Sequence, residues 1–125
     1  MNTKWSLKQG DYAGTRARRA AFRELMAEHG HVSKIVSSEL VFGELITNAV
    51  RYGHDPMAVE VHVHDGKMRI RVDNCGDCFD LTEAMLKEPS TEGGRGLRII
   101  EALSDKVTVE RSARHPCRIT VDLSI

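Results

Sequence analysis

The chain is short of most residues that mark specialised folds. Among its 125 residues there are 3 cysteines, 3 prolines and only 5% aromatics. A small, odd number of cysteines excludes a disulfide-built scaffold. So few aromatics exclude a stacking platform for single-stranded nucleic acid and predict a mostly aliphatic core. Charge of one sign is missing too. Lys+Arg 18 balance Asp+Glu 18, and a neutral chain lacks the basic field of an electrostatic DNA binder. No apolar run approaches the roughly 20 residues that a membrane helix needs. Met1 to Gly10 has no apolar stretch of the secretory kind. Repeats, low-complexity tracts and linkers are also lacking. These absences predict one domain over residues 1–125, in a cytoplasmic protein with no direct nucleic-acid or membrane partner. A chain of this length buries about two thirds of its unfolded surface, enough for a core.

What is present is periodic. Met1 to Lys8 predicts a short edge strand with Trp5 and Leu7 on one face. Asp11 to His29 predicts a helix, because Phe22, Leu25, Met26 and His29 recur at helical spacing. Arg16, Arg19 and Arg23 fall on another face, which reads as solvated or as a docking surface for an acidic partner. Gly30 is a plausible stop. Ser33 to Tyr52 predicts a second helix, with Ser33 as its N-cap and Gly53 in a left-handed C-terminal position. Val59, Val61 and Val63 then alternate with polar residues, as do Met68, Ile70 and Val72. Asp65-Gly66 between them is the pair that a tight type I′ hairpin prefers. Residues 74 to 91 break the pattern, with a short helix expected at Leu81–Lys87. Gly96 to Ser104 predicts a third helix. Two further strands follow, carrying Val107 and Val109, then Ile119, Val121 and Leu123.

Every predicted strand has one apolar face, and the helices can cover it. The expected class is therefore α/β in the α+β sense: a two-layer sandwich. Its sheet is mostly antiparallel, with four to five strands and three helices on one face.

Three places carry candidate chemistry. Glu44 and Asn48 are four apart and share a helix face, which Arg51 continues. An Asn beside the apolar stripe of a good helix is unfavourable by propensity, which suggests a ligand role, although surface Glu–Asn pairs are the commoner arrangement. Glu92-Gly93-Gly94-Arg95-Gly96 opens the third helix and reads either as a flexible turn or as backbone N–H groups aimed at an anion. It is neither a P-loop nor a dinucleotide fingerprint. Cys75-Gly76-Asp77-Cys78, with His62, His64, His115 and Cys117, suggests zinc or thiol chemistry only weakly. The spacing lacks a second close pair, so the thiols read as incidental.

In this order the pieces resemble the Bergerat-fold ATPases, the group of gyrase, histidine kinases and related chaperones. The resemblance is strongest to their small single-domain branch, the anti-sigma-factor serine/threonine kinases. Glu44-Leu45-Ile46-Thr47-Asn48-Ala49-Val50-Arg51-Tyr52-Gly53 looks like that branch's N-box. Gly93-Gly94-Arg95-Gly96-Leu97-Arg98-Ile99-Ile100 looks like its second glycine box. The likeness covers nearly the whole chain. It implies ATP and Mg²⁺ as cofactors, with Asn48 as the one protein ligand to the metal. It implies Glu44 as general base and Gly93, Gly94, Arg95, Gly96 and Leu97 at the phosphates. Arg51 would add charge nearby, and residues 79 to 93 would form a lid. As partners it implies a sigma factor and an antagonist protein that receives the phosphate, and homodimers are common in the branch.

One motif departs from the pattern. The branch usually reads Val-x-Asp-x-Gly-x-Gly after the second hairpin strand, the Asp reading the adenine amine. Here Val72-Asp73-Asn74-Cys75-Gly76-Asp77-Cys78 places Asn74 at the Asp position, Gly76 at the first Gly and Cys78 at the last. Strand parity agrees, since Asn74 shares a face with Val72 and Ile70. An Asn carbonyl can still accept from an amine, but more weakly than a carboxylate. The alternative function is thus a catalytically weak nucleotide-binding module acting through protein contacts. Zero net charge also hides a pattern: basic ends flank an acidic middle.

Overall fold

Asp11 starts the first helix. Its carboxylate accepts from the Gly14 N–H at 2.9 Å, satisfying one of the free donors at a helix start. From there the computed structural model describes residues 1–76, 94–114 and 116–125. The elements are β1 (Asn2–Leu7), α1 (Tyr12–His29), a 3-10 turn (Val32–Lys34), α2 (Ile35–Tyr52), β2 (Met57–His64), β3 (Lys67–Asn74), α3 (Gly94–Leu103), β4 (Lys106–Glu110) and β5 (Cys117–Ser124). The short helix expected at 81–87 lies outside the described residues.

The strands form one five-stranded sheet in the order β1-β2-β3-β5-β4. Every neighbouring pair is antiparallel. The hairpin at Asp65-Gly66 has φ of 48° and 72°, the two positive values a type I′ turn requires. Register places Val61 opposite Ile70 and Ile70 opposite Val121, so one face is a continuous aliphatic surface. The three helices cover that face, giving the expected two-layer α+β sandwich. Aromatics are few but concentrated. Phe22 of α1 stacks on Phe42 of α2 with centroids 4.2 Å apart, and Trp5 meets Phe42 edge-on at 5.8 Å. No helix among the described residues is long and apolar enough to cross a membrane.

Several local expectations are corrected. Ser33 does not cap α2. The chain makes a 3-10 turn first, and Ser33 N–H donates to His31 Nδ1 instead. Gly53 is extended, with φ −79° and ψ 173°, not left-handed. α3 begins at Gly94, two residues earlier than predicted. His29 is exposed and ends the buried stripe of α1. The α1 arginines are not simply solvated. Arg23 makes a two-pronged ion pair with Glu39 of α2, at 2.9 and 2.6 Å. Hydrogen bonding from Arg23 holds the Glu39 carboxyl below its usual range. Arg19 lies across Gly43, where a Cβ would sit 2.9 Å from its guanidinium carbon. Arg16 alone of the three stays a plain surface cation.

Candidate functional site

The site grows from the face of α2 that the sheet does not take. Val41, Phe42, Leu45, Ile46 and Val50 are buried toward the core. Glu44 and Asn48, one turn apart, are left facing α3. The two helices meet there because α3 opens with glycine. A Cβ added at Gly96 would lie 2.6 Å from Glu44 Oε2 and 3.4 Å from Asn48 Nδ2. Only a residue without a side chain brings the start of α3 this close to a carboxylate and an amide. Leu97 and Ile100, 3% and 0% exposed, anchor α3 in the core behind this contact.

A cleft runs from this point along β3. Val72, Ile119, Leu97 and Ile100 make its apolar walls, and Asn48 and Asn74 are its buried amides. Asn48 is 8% exposed and makes no hydrogen bond within the described chain. Its carbonyl is a hard oxygen donor of the kind magnesium takes, and that ion draws most of its shell from water and phosphates, so the residue fits it.

Asn74 is inward as expected, 7% exposed, while Asp73 points away and binds Arg118 through two bonds at 2.7 and 2.9 Å. The Asn74 side-chain carbonyl also serves the turn that follows, and the second lone pair of the oxygen is still able to accept. Asn74 Oδ1 already accepts the Gly76 N–H at 2.7 Å. His54 supports this turn: its carbonyl accepts from Cys75 N–H at 3.0 Å. Its ring lies against Gly76, where a Cβ would come 2.4 Å from His54 Cδ2. Sequence reasoning missed Gly53 and Tyr52 as cleft residues, and His54 as the residue beside the turn. The only signal was that they directly follow the Glu44–Asn48 segment.

The remaining candidates fall as follows. Arg51 is exposed, with its guanidinium 5.6 Å from the centroid of the Tyr52 ring at the cleft rim. Gly94 and Arg95 lie in the first turn of α3, where backbone N–H groups have no helical partner. Gly93, Cys78, His115 and the expected lid lie outside the described residues. Cys75 is an exposed free thiol. Cys117 is wholly buried and disulfide-bonded, so the reading of every thiol as incidental fails for it. Among the described residues no three His, Cys, Asp or Glu side chains gather to hold a metal ion.

A wider depression on the opposite sheet face is lined by His62, Arg69, Lys106 and Asp122 among others. It is open, and its best-placed charges satisfy each other: Arg69 bonds Asp122 at 2.8 and 3.3 Å. That hydrogen bond holds the Asp122 carboxyl below its usual range.

Residues 9–124 match the histidine kinase-like ATPase domain family. The chain belongs to that family. The family makes this an ATP-binding domain of the kinase type. The fold of this ATPase domain is also that of the histidine kinase domain from the Erythrobacter litoralis EL346 blue-light-activated kinase. The TM-score is 0.53 at 16% identity, covering 90% of this chain and 59% of that one. The chain thus spans less than two thirds of that domain. The Acinetobacter baumannii histidine kinase AdeS is similar at TM-score 0.51 and 20% identity, covering 98% and 67%. No curated protein matches the sequence.

Proposed function

We propose that this ATPase domain is a cytoplasmic serine/threonine protein kinase of the anti-sigma-factor type. It moves the γ-phosphate of ATP to a hydroxyl of an antagonist protein and binds a sigma factor. The observation that supports it is the convergence of Glu44, Asn48 and Gly96, a carboxylate and an unpartnered amide at a glycine-opened helix start. Catalysis of phosphoryl transfer is chiefly positioning and charge stabilisation, and this arrangement supplies both.

In this reading the substrate Ser or Thr oxygen attacks the γ-phosphorus. Its proton passes to the Glu44 carboxylate, and the bond from the γ-phosphorus to the β-bridging oxygen breaks with its electron pair on ADP. Asn48 would hold Mg²⁺, which when bound neutralises charge on the phosphates. The first N–H groups of α3, from Gly94, Arg95, Gly96 and Leu97, face the transferring oxygens with the positive end of the helix dipole. Leu97 also closes the apolar wall against water.

The test is transfer from labelled ATP to a candidate antagonist in the presence of magnesium. Wild type should phosphorylate it, and Glu44→Ala should bind ATP without transferring phosphate. If Glu44→Ala binds ATP and transfers as fast as wild type, the assigned base is wrong. A second reading, a nucleotide-binding module without transfer, is favoured by Asn74 and Cys78. It predicts ATP binding with no phosphorylated product in wild type.

A further inference from the structure

We propose that a thiol–disulfide switch beside the Asn74 end of the cleft regulates nucleotide binding. A bond between Cys117 and Cys78 ties the chain beyond the Asn74 turn to β5 and favours binding. Cys75 is the thiol that opens it. The proposal rests on the reading of the cleft as the nucleotide site and specifies how that site is controlled.

The sequence holds 3 cysteines, Cys75, Cys78 and Cys117. Cys117 is disulfide-bonded and Cys75 is free. Within one chain, that leaves Cys78 as the partner of Cys117. Cys117 opens β5 directly opposite Asn74 of β3. Residues paired across two strands point to the same face of the sheet. Both are buried, at 0% and 7% exposed, so the Cys117 side chain lies on the inner face beside the Asn74 wall of the cleft. Chain bonded to it is held there.

Two hydrogen bonds already fix residues 74–76. Gly76 N–H donates to Asn74 Oδ1 at 2.7 Å, and Cys75 N–H donates to the His54 carbonyl at 3.0 Å. The disulfide adds a covalent anchor just beyond them. The loop it closes runs from residue 78 to residue 117 and contains all of α3 and β4. The start of that helix faces Glu44 and Asn48 across Gly96. A cross-link removes freedom from the chain it encloses. The oxidised domain therefore has less to order when a nucleotide enters.

Two features make this bond a switch and not a fixed staple. In the cytoplasmic setting proposed above, cellular thiols keep most cysteines reduced, and the disulfides that form are mostly catalytic or redox-sensing. The third cysteine is also placed to open the bond. Cys75 is exposed, whereas Cys117 is sealed from thiols in solution. Cys75 and Cys78 form a Cys-x-x-Cys run, close enough along the chain to exchange. The Cys75 thiolate attacks the Cys78 sulfur. The Cys75–Cys78 bond forms, the Cys78–Cys117 bond breaks, and its electron pair leaves on the Cys117 sulfur, which takes up a proton. A dithiol from solution then reduces the Cys75–Cys78 bond and is itself oxidised to a cyclic disulfide.

The experiment compares the whole chain oxidised with glutathione disulfide and reduced with dithiothreitol. Peptide mapping of the oxidised form should join Cys78 to Cys117 and leave Cys75 free to alkylate. Calorimetric titration with ATP and magnesium should show the oxidised form binding about threefold tighter or more, the scale of ordering one side chain. Cys78→Ser should bind like the reduced wild type under both conditions. Cys75→Ser should keep the bond but lose it to reduced glutathione about tenfold more slowly, since an intramolecular attack is removed. Failure of Cys117 to form a disulfide with Cys78 overturns the inference. So does equal or weaker ATP binding by the oxidised form, which leaves the site reading standing. Opening of Cys75→Ser at the wild-type rate overturns the part assigned to Cys75. If neither form binds ATP, the site reading itself fails and takes the switch with it. The two wild-type states decide even if a variant does not fold.

Discussion

Beside one end of the cleft, Glu44 and Asn48 reach toward a glycine and make no hydrogen bond among the described residues. At the other, Asn74 and Gly76 bond to each other and are backed by His54. Both ends use a glycine to let polar groups approach closely. The first leaves its groups available, as a centre needs that must meet several oxygens in changing geometry. The second ties the amide oxygen into a turn and so keeps one orientation.

Substitutions can break this contrast. The largest expected effect is at the open end. Glu44→Gln should lower phosphoryl transfer by about 10²–10⁴-fold, the usual span of general-base catalysis, with nucleotide affinity kept. A matching loss of affinity, read by calorimetry, would mean that Glu44 holds the ligand instead. Gly96→Ala comes next. The new methyl meets the flexible end of Glu44 and not backbone, so the carboxylate shifts and the fold survives. Transfer should fall on the order of 10²-fold from misplacement. Thermal stability should hold or rise, by up to about 1 kcal/mol, because alanine favours helix. A variant that loses both activity and stability would show that the contact is a packing requirement.

The fixed end should respond more mildly and in a different observable. Gly76→Ala pushes into the His54 ring and loosens the Asn74 turn. Nucleotide affinity should fall by about 1 kcal/mol, the worth of one hydrogen bond. Adding His54→Ala opens the space and should return part of that loss. If the pair is worse than either single variant, the ring supports the turn by more than filling space.

The smallest effect belongs away from both ends. Asp122→Asn on the outer sheet face should leave nucleotide affinity unchanged and lower the melting temperature slightly at neutral pH. The Asp122 carboxyl is held below its unfolded value by Arg69. Its contribution is therefore present above the unfolded pKa and lost as the pH falls through the folded one. The two melting temperatures should start to converge as the pH falls below about 4 and coincide only below the folded pKa of Asp122. A change in affinity would connect the outer face to the cleft.

How much of this the sequence discloses depends on the range of the interaction. The strands and the hairpin follow from alternation and from Asp65-Gly66, where neighbours decide the conformation. Strand parity alone puts Asn74 inward and Asp73 outward. Glu44 and Asn48 share a face by helical spacing. Their meeting with Gly96 is tertiary, and reached the sequence only as a likeness of motifs. Other features were not legible because their partners are distant. Arg23 looks like a surface cation until α2 supplies Glu39. Gly53 looks like a helix stop of the left-handed kind, but Met57 and Asn74 press on it and the backbone runs extended. The direction of the Asn74 amide is set by a backbone N–H that no residue type reveals.

The outer face of the sheet has one more consequence. On the inner face, Met68, Ile70 and Val72 meet Leu123, Val121 and Ile119, residues so alike that a slip of two positions would change little there. On the outer face, the same two strands carry Arg69 against Asp122 and Asp73 against Arg118. A two-residue slip in either direction parts both pairs at once. The charges thus work as an address that the hydrophobic side cannot write. By fixing β3 against β5, they also fix which residue arrives at the floor of the cleft opposite Cys117. The ion pairs on the far side of the sheet thus favour the alignment that brings Asn74 there.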